Sequence, residues 1–89
     1  MTKYLYSGAI VKSIAGRETN DIFIILKIDK GFAYLVNGKS RPIENPKKKN
    51  LKHLELLQKS ELVELDLNNL TNAQIIKYLK DYKKSKDYK

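Results

Sequence analysis

The most regular alternation in the chain is "IFIILKI" at residues 22–28. In an extended strand Ile22, Ile24, Leu26 and Ile28 fall on one side, and Phe23, Ile25 and Lys27 on the other. Apolar residues on both sides predict a strand with something packed outside it as well as inside. Shorter pieces surround it. "GAIVKSI" at 8–14 and "FAYLV" at 32–36 are rich in β-branched or aromatic residues and read as strands. "SRPIE" at 40–44 reads as a fourth strand and "KHLELL" at 52–57 as a fifth. Pro42 has no amide donor, which assigns it to an edge or a non-bonded position. Between the strands, "AGRETND" breaks the apolar pattern, with Gly16 and Asn20 as the residues that best tolerate positive φ. "DKG" at 29–31 is a turn, and Asn37-Gly38 is the pair a two-residue type I′ hairpin prefers. Five short strands with tight turns bury their alternating face and cover most edges by curling into a small barrel.

The period changes in "LTNAQIIKYLKDYKK". Thr71 with Gln74 three residues on is a capping box, and Leu70 with Ile75 forms the matching hydrophobic staple. Ile75, Leu79 and Tyr82 then recur at helical spacing, flanked by Ile76 and Tyr78. These features predict a helix over about 72–84 whose apolar stripe covers an outer face or open end of the barrel. The fold class that follows is mainly β: a five-stranded barrel over residues 1–58, then an extension over 59–89 with one helix and a basic, frayed "KSKDYK" tail. No internal repeat is visible.

The chain has 89 residues, enough for one domain with a modest core, and its 42% hydrophobic content suits a globule rather than a disordered chain. With no cysteine there is no disulfide framework and no thiolate metal site, which fits a reducing compartment. The longest apolar run, residues 22–26, is too short to cross a bilayer, and "MTKYLYSG" lacks a signal-peptide core. The expectation is a cytoplasmic protein that does not engage membranes.

Charge adds more. Eighteen basic and ten acidic side chains give +8, a bias towards polyanionic partners. It sits in blocks: residues 47–52 are +4, residues 77–89 are +4, and residues 55–66 between them are −3. A lysine run is often only a solvated face. Catalytic parts are scarce. The single histidine, His53 beside Glu55, cannot supply a zinc site, Gly8 and Gly16 do not form a phosphate loop, and Ser13 and Ser60 have no evident base. No cofactor and no catalysis are expected. Neither a recognition helix nor a zinc finger is present for reading the DNA major groove. Structured RNA, read through shape, phosphates and 2′-hydroxyls, suits rigid basic loops better. Arg17 reads either as a phosphate contact or as a tie within its own turn. Tyr4 and Tyr6 could stack on bases or fasten the N-terminus, while Tyr78, Tyr82 and Tyr88 read first as helix packing.

"GAIVKSIAGRETNDIFIILKI" resembles a KOW motif: a glycine, an apolar strand with a basic residue, a glycine-centred turn and a second strand. "LVNGKSRPIENPKKKNLKHLELL" resembles its continuation in small bacterial KOW-domain RNA-binding proteins, relatives of the KOW-barrel large-subunit ribosomal proteins of archaea and eukaryotes. The likeness spans roughly residues 5–57. It implies an SH3-like barrel that binds RNA, ribosomal RNA above all, with ribosomal proteins as further candidate partners; the sequence does not set the oligomeric state, and a monomer is the working expectation. The residues it implicates in RNA binding are Lys12, Ser13, Arg17, Lys39, Arg41, Lys47, Lys48, Lys49, Lys52 and His53, with Gly16, Gly38 and Pro46 shaping the loops. One departure stands out. The family's "GRDKG" is "GRETN" here, so Asn20 replaces a glycine and Thr19 a phosphate-binding lysine. The alternative is a protein-interaction module of the transcription or translation machinery, docking through the barrel, the helix or its tyrosines. Salt separates the two, because phosphate contacts weaken steeply with ionic strength and apolar docking does not.

Overall fold

The computed structural model describes residue 5 and residues 7–17, 19–58 and 69–85. Tyr4, Tyr6, Tyr88, the acids Glu61, Glu64 and Asp66, and the tail's residues 86–89 lie outside the described residues. The elements are β1 (Ile10–Ser13), β2 (Ile22–Asp29), β3 (Phe32–Val36), β4 (Lys47–Asn50), a 3₁₀ turn (Leu51–His53), β5 (Leu54–Gln58) and α1 (Asn72–Ser85). The strands form one antiparallel sheet in the order β4-β3-β2-β1-β5. β4 and β5 therefore stand at opposite ends of the sheet, yet only three residues join them. A 3₁₀ turn rises about 2 Å per residue, so the four steps from Asn50 to Leu54 span only about 8 Å and the sheet must curl until its ends come together. The result is the small barrel-like fold with a C-terminal helix that the sequence predicts.

β2 has two covered sides. Phe23 and Ile25 point into the barrel with Ala9, Val11, Ala33, Leu35 and Leu54, all buried. On the outer side Ile24 joins Ile10 and Val36 beneath Ile75, Leu79 and Tyr82 of α1. Each large aliphatic side chain so buried contributes about 1.5–3 kcal/mol, so the helix stripe and the outer sheet face stabilise each other.

The alternation expected along β2 breaks at one point. The β2–β3 register shifts between Ile25 and Lys27, and beyond that bulge Ile28 packs with the inner cluster while Lys27 is exposed. Strict alternation would have carried the Lys27 ammonium inside beside Phe23 and Ile25. An extra residue in the strand avoids burying that charge.

Two further expectations are corrected. "SRPIE" at 40–44 is not a strand; the fourth strand is Lys47–Asn50, within the lysine run. Residues 37–46 form a loop held by polar groups. Asn37 Oδ1 accepts from the amides of Lys39 and Arg41, and Arg41 O accepts from the amides of Asn37 and Gly38. Nor is Asn37-Gly38 a type I′ turn, because only Gly38 has positive φ there. The two-residue hairpin with both φ values positive is Lys30-Gly31, between the paired residues Asp29 and Phe32. Asn20 does take the glycine-like conformation expected of it, at φ 77°, and its amide donates to Ser13 O at 2.7 Å.

The helix start matches its sequence signature. Gln74 N donates to Thr71 Oγ1 and Thr71 N donates to Gln74 Oε1, while Leu70 and Ile75 are both buried in the outer cluster. Asn72 then ties the helix to the 37–46 loop. Its Oδ1 accepts from Ile43 N at 2.8 Å and its Nδ2 donates to Glu44 Oε1 at 3.0 Å. The Asn72 donor holds the Glu44 carboxyl below its ordinary pKa, so this tie is intact at neutral pH and weakens as pH falls through that lowered value.

Gly38 sits where loop and helix meet. A Cβ there would lie 2.7 Å from Asn72 O and 2.7 Å from Ile76 Cγ1, on a backbone with φ +83°. Gly38→Ala is expected to cost roughly 2 kcal/mol or more from strain and displaced backbone. Ile75→Ala, which empties the fully buried centre of the helix contact, is expected to cost about 2–5 kcal/mol. Urea unfolding of both variants against the parent chain measures these values.

Candidate nucleic-acid interface

The ten candidate residues fall into three groups. Ser13 and Lys49 are turned inward. Ser13 is fully buried and its hydroxyl donates to Ala15 O at 3.0 Å. Lys49 is 9% exposed and its Nζ donates to the same carbonyl at 2.8 Å. The middle lysine of the run thus stitches β4 to the segment after β1, across the seam where the barrel closes.

Lys47, Lys48, Lys52 and His53 form the second group, on β4 and the 3₁₀ turn. Lys48, Lys52 and His53 are exposed and Lys47 is half-buried. The turn is rigid because Asn50 Oδ1 accepts from Lys52 N, Leu51 N donates to Gly31 O, and His53 O accepts from Ile14 N. Lys48 Nζ rests 4.6 Å from the Phe32 ring centroid, and on the neighbouring strands Lys27 Nζ rests 4.9 Å from that of Tyr34. Tyr34 pairs with both Lys27 and Lys48, so two half-buried rings and two ammonium groups share the outer face of β2, β3 and β4. Exposed cation–π contacts of this kind are worth about 0.5–1 kcal/mol, little enough for the lysines to reach a phosphate instead.

Lys12, Arg17, Lys39 and Arg41 form the third group, around the connections at the other end of β2 and β3. Arg17 is exposed and makes no hydrogen bond or ion pair among the described residues, so nothing there ties it within its turn. Arg41 is half-buried, with its backbone fixed by Asn37. Lys12 Nζ lies 3.6 Å from Glu55 Oε1, its cross-strand neighbour, in a partly exposed pair of the kind worth at most about 1 kcal/mol. Lys12 and Lys39 also line one cleft of about 710 Å³ between the sheet and α1. The helix contributes Lys80 and Lys83 to it, two cations missing from the sequence-based set. The +4 charge of residues 77–89 was the available signal, but its direction depends on how the helix is rotated on the sheet.

Among the described residues no group of three or more His, Asp or Glu side chains is placed to hold a metal ion, and no helix is long and apolar enough to cross a membrane. No protein-family model matches the chain, and no curated protein matches it.

The interior position of Lys49 separates it from its neighbours. Lys49→Glu would set a carboxylate against the Ala15 carbonyl in a nearly water-free seam. It is expected to destabilise the fold by roughly 3 kcal/mol. Thermal melting followed by circular dichroism should show a much larger fall in the midpoint for Lys49→Glu than for Lys48→Glu, which loses only the exposed contact with Phe32.

Proposed function

We propose that this chain is a non-catalytic RNA-binding module of the KOW type that works on ribosomal RNA. The observation that carries the reading is the rigid display of Lys48, Lys52 and His53, with Lys47 beside them, on β4 and a 3₁₀ turn pinned by three hydrogen bonds. A backbone already fixed removes the main-chain part of the ordering cost when the lysines meet phosphates, and the lysines gain affinity by releasing counterions. The half-buried rings of Phe32 and Tyr34 lie beside them, as in surfaces that contact unpaired bases. The likeness of residues 5–57 to KOW-domain proteins points the same way, and the net charge of +8 favours a polyanion over a neutral partner. Ser13 and Lys49 support the frame in this reading and do not touch RNA.

The protein-docking alternative drew on the apolar face of the helix and its tyrosines. Ile75, Leu79 and Tyr82 are buried against the sheet, and half-buried Tyr78 packs at the edge of the same cluster. Among the described residues Ile14 is the exposed large hydrophobic, and one side chain is too little for an apolar interface.

Lys48→Glu with Lys52→Glu is expected to weaken binding of a labelled RNA stem-loop by roughly tenfold or more at low salt and to flatten the salt dependence, while the chain stays folded and loses only the small contribution of the Lys48–Phe32 contact to its melting midpoint. Wild-type affinity in that variant, measured by fluorescence anisotropy, would remove the proposed interface. Sedimentation of a cell lysate through sucrose tests the ribosomal assignment. Co-migration with a subunit, lost as salt rises, is expected, and a protein that stays at the top of the gradient at low salt contradicts it.

A further inference from the structure

The cleft between α1 and the sheet is a second place where cations converge, and it is built differently from the β4 surface. Lys12 comes from β1, Lys39 from the loop after β3, and Lys80 and Lys83 from the helix. The acid lining the same cleft is Asp21, and Ile22, Ile76 and Leu79 supply an apolar floor. Lys39, Lys80 and Lys83 are exposed and have no ion-pair partner among the described residues, whereas Lys77 on the same helix pairs with Asp81 at 3.3 Å. Lysines three apart on a helix repel each other, so Lys80 and Lys83 cost the isolated helix a few tenths of a kcal/mol. Facing them across the cleft with Lys12 and Lys39 adds to that repulsion. An anion between the two sides would remove it.

We infer that this cleft is a second RNA-backbone site, holding phosphates between Lys80 and Lys83 on one wall and Lys12 and Lys39 on the other, with ribose against Ile22, Ile76 and Leu79. The inference rests on the RNA-binding reading above and adds the helix to the binding surface. A volume of about 710 Å³ is within the range of sites that enclose small ligands, so a short stretch of strand fits and a duplex does not. The walls are held independently of RNA. Asn72 fastens the helix start to Ile43 and Glu44, Gly38 lets the 37–41 loop approach Asn72 and Ile76, and Asn20 closes the connection beside Asp21. Lys12 is free to turn from Glu55 to a phosphate at small cost.

The test compares three forms of the full chain with a fluorescein-labelled single-stranded RNA: wild type, Lys80→Ala with Lys83→Ala, and Lys80→Arg with Lys83→Arg. Alanine and arginine are both strong helix formers, so the helix should persist, and a melting curve checks it. The alanine pair is expected to bind about five- to tenfold more weakly, with the slope of log affinity against log salt reduced by about 1.4, the value for two lost phosphate contacts on a single strand. The arginine pair is expected to keep wild-type affinity. If the alanine pair binds as wild type does while Lys48→Glu with Lys52→Glu loses affinity, the cleft is no RNA site and the β4 surface stands alone. Wild-type RNA affinity with a shifted melting curve in the alanine pair assigns the lysines to an acidic partner within the chain, which also overturns the inference. Failure of the wild type itself to bind RNA removes the functional reading and this inference with it.

Discussion

The outer face of the sheet, and the cleft beside it, depend on the contact between Ile75, Leu79 and Tyr82 of α1 and the Ile10, Ile24 and Val36 surface of the sheet. β2 is apolar on both sides, and a small barrel has room for only one of them. Left bare, the other would expose a row of isoleucines to water, at a cost of about 25 cal/mol for each Å² of apolar area. A capped amphipathic helix removes that cost and gains the same benefit for its own stripe. Short helices are marginal alone in water, so this packing is also what makes α1 a helix. Once seated, its rotation is no longer free, and residues one position away from the stripe acquire a fixed direction. Lys80 and Lys83 are those residues, and the sheet opposite presents Lys12 and Lys39.

A second constraint shapes the other basic surface. The link between β4 and β5 is three residues long, and it holds together strands at opposite ends of the sheet. Lysine is a poor strand former, so the β conformation of Lys47–Asn50 comes from pairing with β3 and from closure of the barrel rather than from local preference. Alternation then sorts the lysines. Lys49 faces inward and spends its charge on the Ala15 carbonyl, while Lys48 faces the outer side over Phe32. One run of identical residues therefore occupies two environments, and the division follows from strand geometry.

The same physics explains what was legible in the sequence. β2, β3, the capping box and the staple are local patterns of strongly apolar or capping residues, and each formed where it was read. Asn20 was legible because few residues besides glycine tolerate its φ. The fourth strand was not, since "SRPIE" has the better local look and "KKKN" the better partner across the sheet. What decides against 40–44 is one local and one distant side chain: Asn37, four residues back, takes the amide of Arg41, and Asn72, from the helix start, takes that of Ile43, so neither is left for a ladder. The bulge at Lys27 was hidden for a similar reason, because the alternation of "IFIILKI" does not reveal where a charge becomes too costly to bury. The candidate site was half legible. Residue types and charge blocks pointed to cations, but which of them converge depends on closure and helix rotation.

The central proposal is that barrel closure and a helix seated on the outer sheet gather scattered lysines into two RNA-binding patches, one on β4 and the 3₁₀ turn and one in the helix cleft. Titrating the isotope-labelled full chain with single-stranded RNA, and following its backbone amides by nuclear magnetic resonance, tests this most directly. The account predicts shift changes along Lys48–His53, at Lys12 and Lys39, and along Ile76–Lys83, with the inner barrel residues Phe23, Ile25 and Leu35 unmoved. Changes confined to the unpaired face of the helix, or no change at all at low salt, would contradict it.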